Sequence, residues 1–186
     1  MNATKRGIGI LIYSIIISFV LVFNVVFSLK TQADSNIQTS EDRISINLIN
    51  EIRANDGVAP LKWSDDLSQA AADKARDIVD HNYFDHVSPT GKTAWDFVLA
   101  EKYDYKYAGE NLAIDFPNVT DATVAWKNSP SHYANIINGK YTEFGFAEIV
   151  GNVQGKQSKI YVEMFGSRMS VRDRILTVEE GGSDVN

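Results

Sequence analysis

The chain has 186 residues, of which 44% are hydrophobic, 11% aromatic and 23% charged. This composition excludes wholesale disorder and leaves room for one compact domain beside a targeting segment. There is no cysteine, which excludes a disulfide framework and thiolate metal sites, and the formal charge of −6 makes nucleic acid a poor partner.

Lys5 and Arg6 precede an uncharged, Ile/Val/Leu/Phe-rich run of 23 residues, Gly7 to Leu29, long enough to cross a hydrocarbon layer as a helix. Residues 1–33 are therefore expected to be a signal peptide or a membrane anchor, with the basic flank in the cytoplasm and the remainder outside the cell. Thr31-Gln32-Ala33 places small residues ahead of a cut before Asp34. The length of the apolar run favours retention, so secretion and anchoring both stay open. A lipoprotein is excluded for want of a cysteine to acylate. Without Lys5, Arg6 and Lys30 the rest of the chain has 15 basic against 24 acidic residues, or −9. An exported domain held by its core alone suits a Gram-positive envelope.

Residues 34–40 read as a polar linker. Thr39 and Asp42 form a capping box for a first helix, with Ile44, Leu48 and Ile52 on one stripe and Ile49 widening it, running to about Ala54. Asp56-Gly57 and Pro60 end it. Ser64 caps a second helix whose face is traced by Leu67, Ala71, Lys74 and Ile78, and Ala70, Ala71, Ala72 and Ala75 permit close packing. Phe84 to Thr93 reads as a loop, followed by a short helix from Ala94 to Glu101. A further helix spans Asp121 to Asn128, breaks at Pro130 and resumes from His132 to Ile137. Tyr141 to Val150 and Lys159 to Phe165 are β-branched and aromatic and predict an antiparallel hairpin. Helices and strands in separate stretches mean an α+β domain, placed at 41–166, with 167–186 as a polar C-terminal tail.

Several motifs recur in a telling order. They are Leu48-Ile49-Asn50-Glu51-Ile52-Arg53, Pro60-Leu61-Lys62-Trp63-Ser64, Phe84-Asp85-His86-Val87-Ser88-Pro89 and Gly109-Glu110-Asn111. Trp126 follows, then Ser129-Pro130-Ser131-His132-Tyr133-Ala134-Asn135-Ile136, Tyr141-Thr142-Glu143-Phe144-Gly145 and Tyr161-Val162-Glu163-Met164-Phe165-Gly166. Any one of them is weak. Together, in order, they resemble the bacterial form of the CAP superfamily of cysteine-rich secretory, antigen 5 and pathogenesis-related proteins. The resemblance implies a three-layer α-β-α sandwich with a central antiparallel sheet, a layering that periodicity does not supply by itself.

The resemblance also implies a cavity lined by two histidines and two glutamates. His86, Glu110 and His132 match its motifs. The position three residues after Trp126, a glutamate in eukaryotic members, is Ser129. Two imidazoles and a carboxylate are ligand types for a divalent metal such as zinc and would leave one position for solvent. The same trio could transfer protons without metal, or simply stabilise a cleft. His81 reads as a cation at a helix C-terminus, Asn111 as a residue that bonds backbone to hold a loop, and Trp63, Trp95 and Trp126 as core. Ser88, Ser129 and Ser131 lie near a histidine in sequence, but no nucleophile elbow or oxyanion-loop signature accompanies them. The expected function is an exported module binding an envelope or extracellular ligand in the His/Glu cleft, more binder than enzyme. The alternative is a metal-dependent or acid/base envelope hydrolase in the same cleft.

Overall fold

A computed structural model of the protein describes residues 39–173 and residue 175. The expected signal peptide or anchor over 1–33 lies outside the described residues, as do most of the linker and the end of the tail. Among the described residues no helix is long and apolar enough to cross a membrane.

Helix α1, Ser40–Asn55, opens with the Thr39/Asp42 capping box, the Asp42 N–H donating to Thr39 Oγ1 and the Thr39 N–H to Asp42 Oδ2. A two-residue strand β1, Lys62–Trp63, leads into α2, Asp65–Asp80, where Ser64 Oγ accepts from the Leu67 N–H. Next come α3, Ala94–Ala100, and a ten-residue strand β2, Tyr105–Ile114. Helix α4, Val119–Asn128, starts two residues earlier than its periodicity indicates because Asn118 caps it. Ser129 ends α4 and begins α5, Pro130–Ile136, with Pro130 in the first turn, where its missing N–H costs nothing. Strands β3, Glu143–Val153, and β4, Lys156–Arg168, form the hairpin. Gln154 and Gly155 join them with φ of 53° and 79°, the pair of left-handed residues that a two-residue hairpin turn requires.

The sheet order is β1-β3-β4-β2, with β4 antiparallel to both neighbours. The expectation of a wholly antiparallel sheet needs correction. β1 runs parallel to β3, so the sheet is mixed, because the chain reaches β3 from β1 through crossover helices rather than a hairpin. Strand β2 is also an addition, since its Tyr-Lys-Tyr-Ala-Gly-Glu-Asn opening lacks a β-branched pattern. β4 continues two residues past Gly166, and Ser167 Oγ donates to the Lys140 carbonyl at 2.5 Å.

Alternation along the strands builds two cores. Leu112, Ala147, Ile160, Val162 and Met164 face α2 and α3, while Ala113, Phe144, Phe146, Tyr161 and Phe165 face α1, α4 and α5. The helices thus cover both faces, in three layers. Gly145 lets α2 lie directly on β3, since a Cβ there would sit 2.2 Å from the Leu67 carbonyl carbon and the Ser68 nitrogen.

Trp126 is 2% exposed, and its indole Nε1–H donates to the Leu112 carbonyl of β2 at 2.9 Å. Trp126→Ala removes a buried ring and leaves that carbonyl without its donor. It should cost about 3–5 kcal/mol in urea unfolding. Trp126→Phe, which keeps most of the ring volume, should cost less than half as much; equal losses would mean that the hydrogen bond rather than the packing dominates.

Candidate functional site

The site grows from the loop after α2. Lys74 lies on the apolar face of α2 and is fully buried, where its ammonium donates to Tyr83 Oη and to the carbonyl oxygens of Asp85 and His86, each at 2.9 Å. The Nζ also sits over the Tyr83 ring, 4.9 Å from its centroid. Tyr83 in turn donates its hydroxyl to Asp77 Oδ2 at 2.7 Å. Burial lowers the Lys74 pKa, against the charges of Glu110, Asp77 and Asp85, which raise it. All three ammonium protons are used, so the lysine pins the loop that presents His86.

His86 Nδ1 and Glu110 Oε1 are 2.5 Å apart, and the Nδ1–H donates to the carboxylate. The Glu110 side chain is 2% exposed and the imidazole 58% exposed, so the ring stands at the surface on a buried acidic anchor. The hydrogen bond to Glu110 raises the His86 pKa, against partial desolvation. Glu110 Oε2 is buried without a hydrogen-bond partner. Beside this pair opens a cavity of about 370 Å³, lined by His86, Val87, Trp95, Glu110, Asn135 and Tyr141 among others.

His132, on α5, reaches the area from the opposite face of the sheet. Its Nδ1 is bonded to Ser129 Oγ at 2.8 Å, and it is not among the residues that line the cavity. Burial lowers its pKa, and the neighbouring His86 charge lowers it further. The two imidazoles are therefore electrostatic neighbours held in different settings. Among the described residues no three His, Asp or Glu side chains come together to hold a metal ion. His86 commits its Nδ1 to Glu110 and His132 its Nδ1 to Ser129, which leaves the Nε2 of each ring as the nitrogen open to a further partner.

Asn111 does hold backbone, but from a strand rather than a loop. It is fully buried; its amide donates to the His132 carbonyl (3.3 Å) and to Glu163 Oε2 (3.1 Å), and its Oδ1 accepts from Asn135 Nδ2 (2.9 Å). Asn135 Nδ2 also donates to the Glu110 carbonyl at 3.1 Å. Glu163 is the member that sequence reasoning missed. It stands opposite Asn111 on β4 and is fully buried, with Oε1 unpartnered, and burial pushes its pKa up to about 8. An acid between Val162 and Met164 in an otherwise apolar strand was the available signal. His81 caps α2 at its C-terminus, with Nδ1 3.2 Å from Asp77 Oδ1. Trp63 is half-buried against Phe144, while Trp95 is only partly core, since it also lines the cavity.

An α-β-α sandwich with a histidine–carboxylate pair on a cavity at its sheet edge is the class that fold and site define. The family model described as the cysteine-rich secretory protein family, CAP, matches residues 46–165, and the chain belongs to that family although it has no cysteine itself. It is 36% identical over 115 residues to the uncharacterised Bacillus subtilis protein YkwD, covering 62% of this chain and 44% of that one. With the uncharacterised B. subtilis membrane protein YlbC it shares 30% identity over 132 residues, 71% of this chain and 36% of the relative. The crystal structure of an extracellular SCP-domain protein from Bacillus anthracis superposes with a TM-score of 0.59 at 31% identity, covering 68% of this chain and 40% of the other. The chain thus spans less than half the length of each of these relatives.

Two measurements check this electrostatic picture. In an NMR titration His86 should titrate above the ordinary 6.5 and His132 below it, and Glu110→Gln should bring His86 down. Coincident midpoints would break the assignment. For Glu163 the folded pKa lies above the ordinary 4.5, so the stability of the neutral form is full below about 4.5 and drains as pH rises toward 8. Glu163→Gln should therefore gain on the wild type by roughly 3 kcal/mol between pH 4.5 and 7 in urea unfolding, at ~1.4 kcal/mol per unit. A gap that does not change with pH would mean the carboxyl is not held neutral.

Proposed function

We propose that the protein acts outside the cytoplasm as a binding module that takes an envelope or extracellular ligand in the cavity beside His86 and Glu110. The carrying observation is that cavity itself. It has a mobile-proton pair at one wall and Val87, Trp95 and Tyr141 at the others, the mix of few polar and several apolar groups typical of ligand sites. Glu110 and Asn135 are tied into the fold and Lys74 holds the loop that carries His86 from beneath, so the polar wall is preorganised rather than assembled by the ligand. The extracellular setting draws on the N-terminal apolar run and on relatives described as extracellular or membrane proteins.

One observation favours a second reading, acid/base hydrolysis of an envelope polymer. Glu110 holds the His86 Nδ1–H at 2.5 Å and so leaves Nε2 facing outward as a proton donor or acceptor. A metal-dependent form of that chemistry would need His86, Glu110 and His132 to converge, and among the described residues no three such side chains come together, so zinc titration should leave the thermal midpoint unchanged.

The two readings separate on solubilised Gram-positive wall fragments. A binder should retain fragments saturably and lose at least tenfold in affinity with Trp95→Ala, without forming new products. A hydrolase should release products at a rate that vanishes with His86→Ala. Neither retention nor turnover on wall or culture-fluid fractions would sink the cavity as a functional site.

A further inference from the structure

The sequence holds one Asn-Gly pair, Asn138-Gly139, and one Asp-Gly pair, Asp56-Gly57. In either, the glycine nitrogen can attack the preceding side-chain carbonyl carbon, because no Cβ on the following residue stands in the way. Whether it does so depends on how the fold commits the two groups. The Gly57 N–H donates to the Ala54 carbonyl at 3.1 Å, and Asp56 Oδ1 accepts from the Tyr133 hydroxyl at 2.6 Å, so both reacting groups are already engaged. Gly139 is different. It is exposed, and among the described residues no acceptor reaches its N–H.

Asn138 stands just past α5, and the Lys140 N–H donates to its Oδ1 at 3.0 Å. This is an Asx turn, which folds the side chain back over the next peptide and sets Cγ against the Gly139 nitrogen. The same hydrogen bond sits where the oxygen gains charge when that carbon is attacked. On the backbone side, the Asn138 carbonyl accepts from Arg53 Nη1 at 3.0 Å and from the Tyr141 N–H at 3.2 Å. The nucleophile is therefore free, the electrophile is oriented and polarised, and a buried guanidinium lies on the neighbouring carbonyl.

We propose that Asn138 is a self-modifying site that converts to isoaspartate through a cyclic imide with Gly139. The Gly139 nitrogen loses its proton to solvent and bonds to Cγ of Asn138. The Cγ–Nδ2 bond breaks, and Nδ2 leaves as ammonia with a proton taken from water. A water molecule then opens the imide, and no oxidant or reductant is needed. Arg53 polarises the backbone carbonyl, so water adds at that carbon and its bond to the Gly139 nitrogen breaks. The new carboxylate is left against the guanidinium, a charge-assisted pairing, while the chain runs on through Cγ. The path to Tyr141, whose ring lines the cavity, becomes longer by one carbon.

Peptide mass spectrometry of full-length protein, incubated at neutral pH in mild detergent with and without urea, follows both pairs in one sample. Conversion at Asn138 should be at least as fast in the folded chain as in urea, with a larger isoaspartate share when folded. Isomerisation at Asp56 should slow roughly tenfold or more on folding, because the Gly57 N–H must first be released from Ala54. Gly139→Ala, whose Cβ would meet nothing within 4 Å, should fold normally and lose most of the Asn138 reaction. Lys140→Pro, which deletes the donor to Oδ1, should slow the folded reaction and leave the urea rate in place. Slower conversion at Asn138 in the folded chain than in urea would overturn the proposal, as would equal suppression of both pairs by folding. A product ratio that is the same in both states would remove the role given to Arg53 and overturn the proposed route to isoaspartate.

Discussion

The contact on which the site depends is the buried ammonium of Lys74 against backbone carbonyls. A lysine inside an apolar helix face is costly, and it is tolerated when every proton is used, here by Tyr83 Oη and the carbonyls of Asp85 and His86. The loop from Asp85 onward has no strand or helix to absorb its polar backbone, so the lysine supplies what secondary structure would supply elsewhere. Arg53 repeats the device on the other side of the sheet. It too is buried and binds carbonyls rather than a carboxylate, reaching those of Ala59, Ile136, Asn138 and Tyr141 from α1. Two cations from the two helical layers thus fix the two loops that flank the cavity.

Between those loops runs β2, an edge strand with an unpromising sequence. Its outward carbonyls do not face water. Ala108 accepts from Tyr141 Oη at 3.0 Å, Glu110 from Asn135 Nδ2 and Leu112 from Trp126 Nε1. Three side chains from α4, α5 and the segment after α5 thus stand where a neighbouring strand would be. This blunts the edge against foreign pairing and also explains why it can carry a site. Because successive residues face opposite sides, Glu110 points to the α2 layer and His86, while Asn111 points to the α5 layer and the backbone of His132. Gly109, just before them, leaves room for the Tyr141 ring, whose hydroxyl would lie 2.5 Å from an added Cβ.

Features set by local chemistry were legible in the sequence. The Thr39 and Ser64 caps, the amphipathic stripes of α1 and α2, and the hairpin about Gln154-Gly155 each depend on residues within a few positions of one another. β2 was not legible, because its conformation is imposed by pairing with β4 and by side chains distant in sequence. Nor was β1, which consists of two residues recruited by β3. Lys74 appeared on an apolar stripe without an explanation, since its acceptors lie on a loop nine to twelve residues away. The family motifs identified His86, Glu110 and His132 as a group. They could not show that the first two form one unit and the third belongs to another, because that division follows from which face of β2 each one approaches.

That division bears on what the trio can do. A shared metal needs two neutral imidazoles with lone pairs aimed at one point. Here Glu110 favours the protonated form of His86, whereas burial and the His86 charge favour neutral His132, so the two environments push the rings apart in charge state. Such divergence is what acid/base or hydrogen-bond recognition uses, one group donating while its neighbour accepts. The buried layer beneath resists averaging the two. Asn111 holds the His132 carbonyl and Asn135, and Asn135 holds the Glu110 carbonyl, so the backbones carrying the two rings are linked through one amide pair. Glu163 completes that layer as a neutral acid at physiological pH, which lets Asn111 donate to it without placing an unpaired charge in the core.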